Sequence, residues 1–451
     1  RRSWHACCKW SELPSIHSMH PSTWGYSVFV CFAVLSSAST ADNCLGSTDG
    51  TTPTSSGVST WTSSGTYSVR SSCTLYATQA LHGSGATNVT IIGVSEDGTI
   101  TKITKSNPGP HFKVESNAML TLKSLHLMTV SGETGRAIVV TQGRIVVVSC
   151  ILTGVFAEAS SLSMGGALLA ENRSSVLLIN TGIKNCSSHR GGGIYVSNSN
   201  MTMLGGQLQG NEAVSGGGLS CHGARAVCTL GGGLSCHGAR AVCTLSGVSI
   251  VDNKATNDDT TGTNERSEGG GLSCAGLALC VLDTVLIKNN KAQHGAGLSV
   301  TNSTMTVSGT HIRGNEATDG GGGVYYFASR VTLDRTMVVE NLAGRYGGAM
   351  ACETDSDDSY SEDSCLTHSI INMTKILITG NVAHNIGGGA LSLTSCCVLT
   401  ARQCTFGNNT ATKNSKYSGH QILLGHVSAG AMPVRLINTN IQDQTNTFFV
   451  Q

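Results

Sequence analysis

Two short acidic segments carry the residues best suited to chemistry. Asp258 and Asp259 form one pair, and Asp355, Asp357 and Asp358 form a second group. Carboxylates serve as general acids and bases in glycoside hydrolysis, where inverting enzymes need two of them about 6.5–9.5 Å apart, and they also bind calcium. Each group here lies within one hydrophilic insertion, the usual setting of a solvated charge run. We therefore expect no catalytic residue and no metal-binding residue. We assign the five aspartates to ligand binding, with calcium as an option in the second loop.

Histidines recur near the glycine-rich segments of the chain. Three lie within three residues of such a segment, namely His189, His294 and His384. Other segments carry a different residue at the comparable place, such as Ser215, Glu268, Asp319 or Tyr346. Because the chemistry changes from one segment to the next, the pattern indicates exposed turn residues and not a row of ligands.

Eighteen cysteines indicate an oxidising compartment. Four pairs flank one polar turn in different repeats, where other repeats have Ser, Thr or Asn, and a fifth pair lies near the N terminus. The candidate disulfides are Cys44 with Cys73, Cys221 with Cys228, Cys236 with Cys243, Cys274 with Cys280, and Cys352 with Cys365. Each would close the base of a turn, although pairing between adjacent coils fits the sequence too. The alternative, zinc, has only the Cys-His-Gly at Cys221 and Cys236 in its favour.

The elements that must position these residues belong to a repeat of about 26 residues. Each repeat begins with a glycine-rich opener, at Gly165, Gly191, Gly216, Gly231, Gly269, Gly295, Gly321, Gly347 and Gly387. Short runs rich in Val, Ile and Leu follow, and no amphipathic helix is apparent. The period predicts an all-β fold, a right-handed parallel β-helix of roughly 12 coils with three short strands per coil. Glycine suits the sharp corners of such a coil.

Most repeats close on Asn-x-Ala, and we predict that the asparagines stack as a ladder inside one corner of the solenoid. The asparagines concerned are Asn211, Asn253, Asn290, Asn315, Asn341, Asn381 and Asn409. A flat face of Thr-x-Thr pairs, as in ice-binding proteins, is not expected, because Thr304-x-Thr306 does not recur coil after coil.

One segment interrupts the period. The 15 residues GGGLSCHGARAVCTL occur twice in succession, at 216–230 and 231–245. The unit contains an opener and two strands but no third strand and no closing asparagine. Because a partial coil should not stack in register with full coils, we expect the extra copy to be extruded as a hairpin or locally disordered.

The chain divides into four predicted segments. Residues 1–41 end in GYSVFVCFAVLSSASTA and are predicted to be a signal peptide with an upstream extension. Residues 42–85 form a Ser/Thr-rich segment that either caps the first coil or acts as a linker. Residues 86–445 form the β-helix, and 446–451 a tail. The apolar run 27–35 is shorter than the roughly 20 residues that span a bilayer, so we expect no membrane span in the mature chain.

Seven Asn-x-Ser/Thr sequons accompany the signal-like segment and the cysteines. The candidate glycosylation sites are Asn88, Asn172, Asn185, Asn200, Asn302, Asn372 and Asn408. Together these features predict a glycoprotein that is secreted or displayed on the extracellular surface. The net charge of +1 and a charged fraction of 12% do not suggest nucleic-acid binding.

The openers GGALLA, GGGIYV, GGAMAC and GGGALS, together with CTFGNNTA at 404–411, resemble the repeats of the chlamydial polymorphic outer-membrane proteins and of secreted right-handed β-helix proteins more widely. The resemblance covers about residues 165–411. Most coils have Leu, Ile or Val where that family has Phe, and the segment after Ala411 is short for the barrel of an autotransporter. The resemblance implies the architecture of the secreted passenger and an adhesive role.

Three hypotheses for function follow from the sequence. The first is a secreted or cell-surface adhesion or recognition rod without catalysis, which binds a surface glycan or a protein ligand. The second is a polysaccharide lyase or glycoside hydrolase of the pectin-lyase-like fold, which would need a cleft with two carboxylates from different coils. The third is a structural component of a wall or coat, which needs no binding surface.

Overall fold

The computed structural model describes most of the chain between residues 58 and 450. The described ranges are 58–61, 63–75, 77–83, 87–94, 99–130, 134–154, 163–214, 216–222, 227–230, 235–237, 242–256, 267–353, 369–385, 387–393, 397–412, 421–424, 434–442 and 448–450. The predicted signal peptide, Cys44, Cys365 and the five aspartates assigned to ligand binding lie outside the described residues.

Within these ranges the chain consists of parallel β-strands, numbered here in chain order, and contains no helix. The first sheet holds fifteen strands, which are β1 (Val58–Trp61), β4 (Thr78–His82), β7 (Phe112–Glu115), β10 (Ile138–Thr141), β13 (Leu168–Glu171), β15 (Ile194–Ser197), β18 (Leu219–His222), β20 (Ser235–His237), β24 (Leu272–Ala275), β28 (Leu298–Thr301), β32 (Val324–Phe327), β36 (Met350–Glu353), β40 (Leu391–Leu393), β44 (Ile422–Leu424) and β47 (Phe448–Val450).

The second sheet supplies two further strands to most coils. Its 25 strands are β2 (Gly65–Val69), β3 (Cys73–Leu75), β5 (Asn88–Gly93), β6 (Thr101–Lys105), β8 (Met119–Lys123), β9 (Leu125–Thr129), β11 (Arg144–Val148), β12 (Ile151–Thr153), β14 (Ser175–Lys184), β16 (Asn200–Gln209), β19 (Val227–Leu230), β21 (Val242–Ser246), β22 (Ser249–Val251), β25 (Leu279–Asp283), β26 (Leu286–Lys288), β29 (Thr304–Ser308), β30 (His311–Arg313), β33 (Arg330–Asp334), β34 (Met337–Val339), β37 (Ser369–Thr374), β38 (Leu377–Thr379), β41 (Cys397–Arg402), β42 (Thr405–Gly407), β45 (Val434–Ile437) and β46 (Asn440–Ile441).

A third, narrow sheet closes seven of the coils. Its two-residue strands are β17 (Glu212–Ala213), β23 (Lys254–Ala255), β27 (Lys291–Ala292), β31 (Glu316–Ala317), β35 (Leu342–Ala343), β39 (Val382–Ala383) and β43 (Thr410–Ala411). Each sheet pairs a strand with its counterpart in the next coil, so the predicted parallel β-solenoid is confirmed. The expected number of roughly 12 coils lies between the 15 strands of the first sheet and the seven strands of the third sheet.

Alternation of side chains along each strand builds the core inside the solenoid. In β29, Met305 and Val307 are fully buried, whereas Thr304 and Thr306 face outward. Met305 pairs in register with Val331 of the next coil, and Val307 with Leu333. Like residues therefore stack at the spacing of neighbouring strands, about 4.8 Å, and fill the interior along its length.

The asparagine ladder predicted from the sequence is present in the third-sheet corner. Asn315 Oδ1 accepts hydrogen bonds from the backbone N and the Nδ2 of Asn290, at 3.0 Å each. Asn315 Nδ2 donates to Asn341 Oδ1 at 2.9 Å and to the Ile287 carbonyl at 3.2 Å. The same pattern repeats along the ladder, which continues into a residue missed in the sequence, because Asn409 Nδ2 donates to Gln421 Oε1 at 2.9 Å. The ladder thus satisfies buried polar groups at a corner that strand pairing cannot serve.

A serine stack, not foreseen from the sequence, lines the corner between the first and second sheets. The backbone N of Ala278 donates to Ser303 Oγ, that of Ser303 to Ser329 Oγ, and that of Ser329 to Ser369 Oγ, at 3.1 Å in each case. These serines are buried. The serine hydroxyls accept hydrogen bonds from buried backbone N–H groups at this corner, as the asparagine amides do at the other corner.

The duplicated 15-residue segment is not extruded as expected. Strand β20 of the second copy lies between β18 and β24, and β21 lies between β19 and β25, all parallel. The long strand β16 pairs with β19 through its first half and with β22 through its second half. The second copy therefore adds one strand to the first sheet and one to the first row of strands in the second sheet, but none to the second row or to the third sheet. A partial coil stacks in register because each strand needs only its two neighbours.

We expect one copy to be dispensable. Deleting residues 231–245 joins Leu230 to Ser246 and restores a complete coil, so the free energy of unfolding should stay within about 0.5 kcal/mol of the parent or rise. The matched control deletes residues 295–307, the equivalent part of an unduplicated coil because Leu245 aligns through Leu282 with Val307, and this deletion should prevent folding. Urea unfolding followed by circular dichroism measures both, and equal damage by the two deletions would contradict the prediction.

The disulfides agree with the sequence in one place and correct it in another. Cys274 and Cys280 are bonded across the polar turn, as predicted. Cys352 is bonded to Cys397, so the predicted bond from Cys352 to Cys365 is wrong. Cys352 and Cys397 are both buried, and their Cα atoms are 6.3 Å apart. The side chain of Cys352 points into the core, where its partner comes from the following coil and not from the turn outside.

The remaining predicted disulfides are partly placed by strand register. Cys73 is disulfide-bonded. In the duplicated segment, register sets Cys221 beside Cys236 and Cys236 beside Cys274, while Cys228, Cys243 and Cys280 form a parallel column. The predicted bonds Cys221–Cys228 and Cys236–Cys243 stay predictions.

A buried histidine makes the N-terminal coils sensitive to acid. His111, immediately before β7, is fully buried, and its Nε2 lies 3.0 Å from the Met128 carbonyl oxygen. Burial, with a smaller contribution from the nearby Lys105 ammonium, lowers the pKa of His111 to about 4. The unfolded chain, with a histidine pKa near 6.5, therefore binds more protons than the folded chain between these two values.

Stability should consequently fall as the pH drops from about 6.5 to about 4, by about 3 kcal/mol in total from this group, and then level off. His111→Gln keeps a side-chain donor but does not titrate. We expect urea unfolding at pH 7 and pH 4.5 to show a smaller difference for this variant than for the parent chain. An identical pH dependence of the two proteins would contradict the assignment.

Candidate functional site

A strip of polar and aromatic side chains lies along the edge where the openers meet the first sheet. It is termed the opener strip, and it consists of Glu268, His294, Asp319, Tyr325, Arg345, Tyr346 and Glu353. Residues immediately before the openers form bridges between several neighbouring coils, as in Glu268 with His294 and Gly320 with Tyr346. Side chains from four consecutive coils are thereby placed side by side at the strand spacing.

The openers explain why outward-facing residues of the first sheet are buried here. Tyr325 faces away from the core in β32 yet is 0% exposed, and Tyr195 in β15 is 3% exposed. The glycine of each opener crosses over such a residue: a Cβ on Gly295 would lie 2.9 Å from Tyr325 Cβ, and one on Gly165 would lie 3.1 Å from Tyr195 Cβ. Burial raises the pKa of Tyr195 above its ordinary value. Glycine is therefore required for close packing of the opener on these side chains.

Two carboxylates of the strip are fixed by hydroxyl donors from other coils. Ser299 Oγ and Thr301 Oγ1 donate to Glu268 Oε2 at 3.0 and 3.1 Å. The hydroxyl of Tyr325 donates to Glu353 Oε2 at 2.8 Å. Hydrogen bonds to a carboxylate favour its ionised form and hold it in one orientation.

The centre of the strip joins a histidine, an aspartate and an arginine. His294 is buried, its Nε2 lies 3.8 Å from Asp319 Oδ2, and its ring centroid lies 5.0 Å from that of Tyr325. Arg345 Nη1 lies 3.3 Å from Asp319 Oδ1. His294 is thus not the exposed turn residue that the sequence suggested, because a tyrosine of the next coil packs against it. His384 is exposed, as predicted, and its Nδ1 lies 2.9 Å from Thr412 Oγ1.

An aromatic ring and a cation lie next to this centre. The ring of Tyr346 lies across Gly320, where an added Cβ would come within 2.2 Å of Cε2. The guanidinium carbon of Arg345 is 5.8 Å from the centroid of this ring. Tyr346 is partly exposed and Arg345 is exposed. A partly exposed aromatic ring beside an Arg-carboxylate pair can bind the apolar face of a sugar ring and its hydroxyl groups together.

A second polar surface follows the outside of the asparagine corner. A notch of about 550 Å³ lies there, lined by Asp252, Asn253, Lys254, Asn289, Lys291, Gly314 and Glu316. Lys254 pairs with Glu212 at 2.9 Å, and Lys291 pairs with Glu316 at 2.6 Å. Because these exposed charges neutralise one another, the notch offers less for a ligand than the opener strip does.

The outer face of the second sheet carries a column of mostly threonine residues. In register along the sheet lie Thr66, Thr90, Thr121, Val146, Leu177, Thr202, Thr229, Thr244, Val281, Thr306, Thr332, Asn372, Thr400 and Arg435. The Thr-x-Thr pair itself does not recur in this part of the chain, as expected. The single column suits the β-branched preference of strands.

The described ranges also bear on metal binding and membrane insertion. No three His, Cys, Asp or Glu side chains there lie close enough together to hold a metal ion. The same ranges contain no helix long and apolar enough to cross a membrane. The predicted calcium loop at Asp355 lies outside them.

The fold and the strip define a parallel β-solenoid with an ordered polar edge. No protein-family model and no curated protein sequence matches the chain, so the resemblance to the chlamydial proteins stays a prediction. Among solved structures, the chain is similar to the A-module of the mannuronan C-5 epimerase AlgE4 of Azotobacter vinelandii, with 9% identity and a TM-score of 0.30 over 86% of this chain and 91% of that one.

Two further solved structures share the same broad similarity. A PL6 alginate lyase in complex with a trisaccharide has 10% identity and a TM-score of 0.21, over 88% of this chain and 80% of the lyase. The catalytic domain of a GH87 α-1,3-glucanase in complex with nigerose has 8% identity and a TM-score of 0.23, over 86% of this chain and 62% of the glucanase.

Proposed function

We propose that this protein is an extracellular recognition protein that binds a glycan along the opener strip. The observation that carries the proposal is the contact set around Asp319, in which Arg345 and His294 from neighbouring coils meet beside the Tyr346 ring. Hydroxyl groups of a sugar can accept from the guanidinium and donate to a carboxylate, while the ring supports the apolar face of the sugar. The strip extends over four coils, which suits an extended chain of sugars.

The distribution of the sequons is compatible with this assignment. None of the seven sequon asparagines lies in the first sheet or in an opener. Glycans attached at these positions would leave the opener strip accessible to a ligand. The disulfides Cys274–Cys280 and Cys352–Cys397 and the signal-like segment support an extracellular location.

A carbohydrate-active enzyme is the second candidate, and one observation favours it. Carboxylates from different coils, at Glu268, Asp319 and Glu353, lie along one edge together with a buried histidine. Glycoside hydrolysis and elimination both require such groups to act as acid and base. The two candidates therefore share a site and differ in whether the bound glycan is cleaved.

The test combines binding and turnover on one panel of polysaccharides. We expect the purified chain to bind a member of the panel without releasing oligosaccharides. Arg345→Ala should weaken binding about tenfold or more, because it removes the only arginine of the strip and the partner of Asp319. The matched control is Arg335→Ala, which alters another exposed arginine paired with an aspartate, Asp334, on the second-sheet side. This control should bind like the parent.

The remaining outcomes separate the hypotheses. Release of oligosaccharides that is lost in His294→Gln and in Glu353→Gln would establish the enzyme and overturn simple recognition. Equal loss of binding in the two arginine variants would move the site away from the opener strip. The absence of both binding and turnover would leave a structural component or a protein ligand as the explanation.

A further inference from the structure

The second sheet exposes an apolar patch on a turn that a disulfide closes. Leu277 and Leu279 are 70% and 40% exposed, and both lie in the segment between the bonded Cys274 and Cys280. Leu277 also has a φ of 68°, a left-handed conformation that leucine seldom adopts and that asparagine tolerates. Two exposed leucines on one turn form a small apolar surface that an attached group can cover.

A predicted glycosylation site lies directly beside this patch. The backbone N of Leu277 donates to the Asn302 carbonyl at 2.6 Å, which places Asn302 at the equivalent turn of the next coil, with a φ of 49°. Leu279 pairs in register with Thr304, the hydroxyl residue of the same sequon. Asn302 and Thr304 are exposed, and Ser303 between them is buried. Both functional residues of the sequon thus face the same side as the two leucines.

We infer that an N-linked glycan on Asn302 covers the patch formed by Leu277 and Leu279. The apolar faces of its first sugar rings pack on the leucines, which lie one strand spacing away, about 4.8 Å. The glycan is therefore part of the surface of the folded protein and keeps these leucines from water.

The modification is a group transfer from an oligosaccharide carried on a polyprenyl diphosphate. A bond forms between Nδ2 of Asn302 and the anomeric carbon of the first sugar. The bond between that carbon and the diphosphate oxygen breaks, and the diphosphate leaves with the amide proton. Nothing is oxidised or reduced.

The test uses the full chain secreted from eukaryotic cells, with occupancy of Asn302 determined by mass spectrometry of glycopeptides. Asn302→Gln removes this glycan, and Asn408→Gln removes one at the distant asparagine corner as the matched control. We expect Asn302→Gln to raise the fluorescence of anilinonaphthalene sulfonate at least twofold and to produce concentration-dependent oligomers in light scattering. The control should match the parent. Adding Leu277→Gly and Leu279→Thr to Asn302→Gln should restore the monomer, because the two substitutions remove the apolar side chains, fit the left-handed φ of 68° at residue 277 and create no new sequon.

Three outcomes would overturn the inference. The first is a secreted protein with Asn302 unmodified. The second is an Asn302→Gln variant that behaves like the Asn408→Gln control. The third is a glycosylated parent that is already a dimer and that the two leucine substitutions convert to monomers, because the patch would then bind a second copy of the chain. The leucine substitutions in the glycosylated parent serve as the folding check, and they should leave its melting temperature unchanged.

Discussion

Replacing Gly295 by alanine is expected to destabilise the protein by about 4 kcal/mol or more, or to prevent its accumulation in soluble form. Gly295 has a φ of 58°, and a Cβ there would lie 2.3 Å from the Leu298 carbonyl oxygen and 2.9 Å from Tyr325 Cβ. The backbone atom belongs to strand β28 and cannot move without breaking its pairing. The expected effect therefore combines left-handed strain with severe overlap.

A second glycine of the same coil separates these two causes. Gly309 has nearly the same φ, 56°, but a Cβ there would meet nothing closer than 3.5 Å. Gly309→Ala should therefore show the strain alone, about 1–2 kcal/mol. Urea unfolding followed by circular dichroism provides both values. Similar losses in the two variants would show that the close approach of the opener to the first sheet is unimportant.

The fold followed from the sequence because its main constraints repeat. The opener glycines and the ladder asparagines occupy equivalent places in most coils, so their period alone indicated a parallel solenoid. The serine stack at Ser303, Ser329 and Ser369 escaped notice, because its place in earlier coils is also filled by other small residues. The fate of the duplicated segment was mispredicted for a related reason. Stacking was treated as a property of whole coils, whereas β20 and β21 show that it is satisfied strand by strand.

The sequence shows several residues of the opener strip but does not reveal that they meet. Glu268, His294 and Tyr346 stand immediately before their openers and Asp319 stands two residues before Gly321. From the sequence alone, the diversity of these residues indicates no common site. In the structure, residues from neighbouring coils differ in type and contact one another as donor and acceptor or as opposite charges. Glu268 accepts from Ser299 of the next coil, and Asp319 lies between His294 and Arg345. A rule that seeks identical residues in successive coils cannot detect such pairs, which require the register between coils.

Replacing Asn315 by alanine is expected to lower the free energy of unfolding by about 4 kcal/mol, through unsatisfied buried groups and a cavity. Asn315 is 0% exposed at the middle of the ladder. Its loss leaves the backbone N of Asn290 without its acceptor and the Ile287 carbonyl without the Nδ2 donor. It also removes a donor from Asn341 Oδ1. Each buried group left unpaired costs about 1–3 kcal/mol, and water has no access to this corner.

The adjacent position of the previous coil supplies the control. Asn289 precedes Asn290 of the ladder, is exposed and has a φ of 55°, and its Nδ2 donates only to Asp252 at 3.2 Å among the side-chain bonds described. Other coils have glycine at this place, as at Gly314 with a φ of 64°. Asn289→Gly should change the free energy of unfolding by no more than about 0.5 kcal/mol. A comparable effect of the two substitutions would mean that the ladder amides contribute little, and that the alternating apolar core alone holds successive coils together.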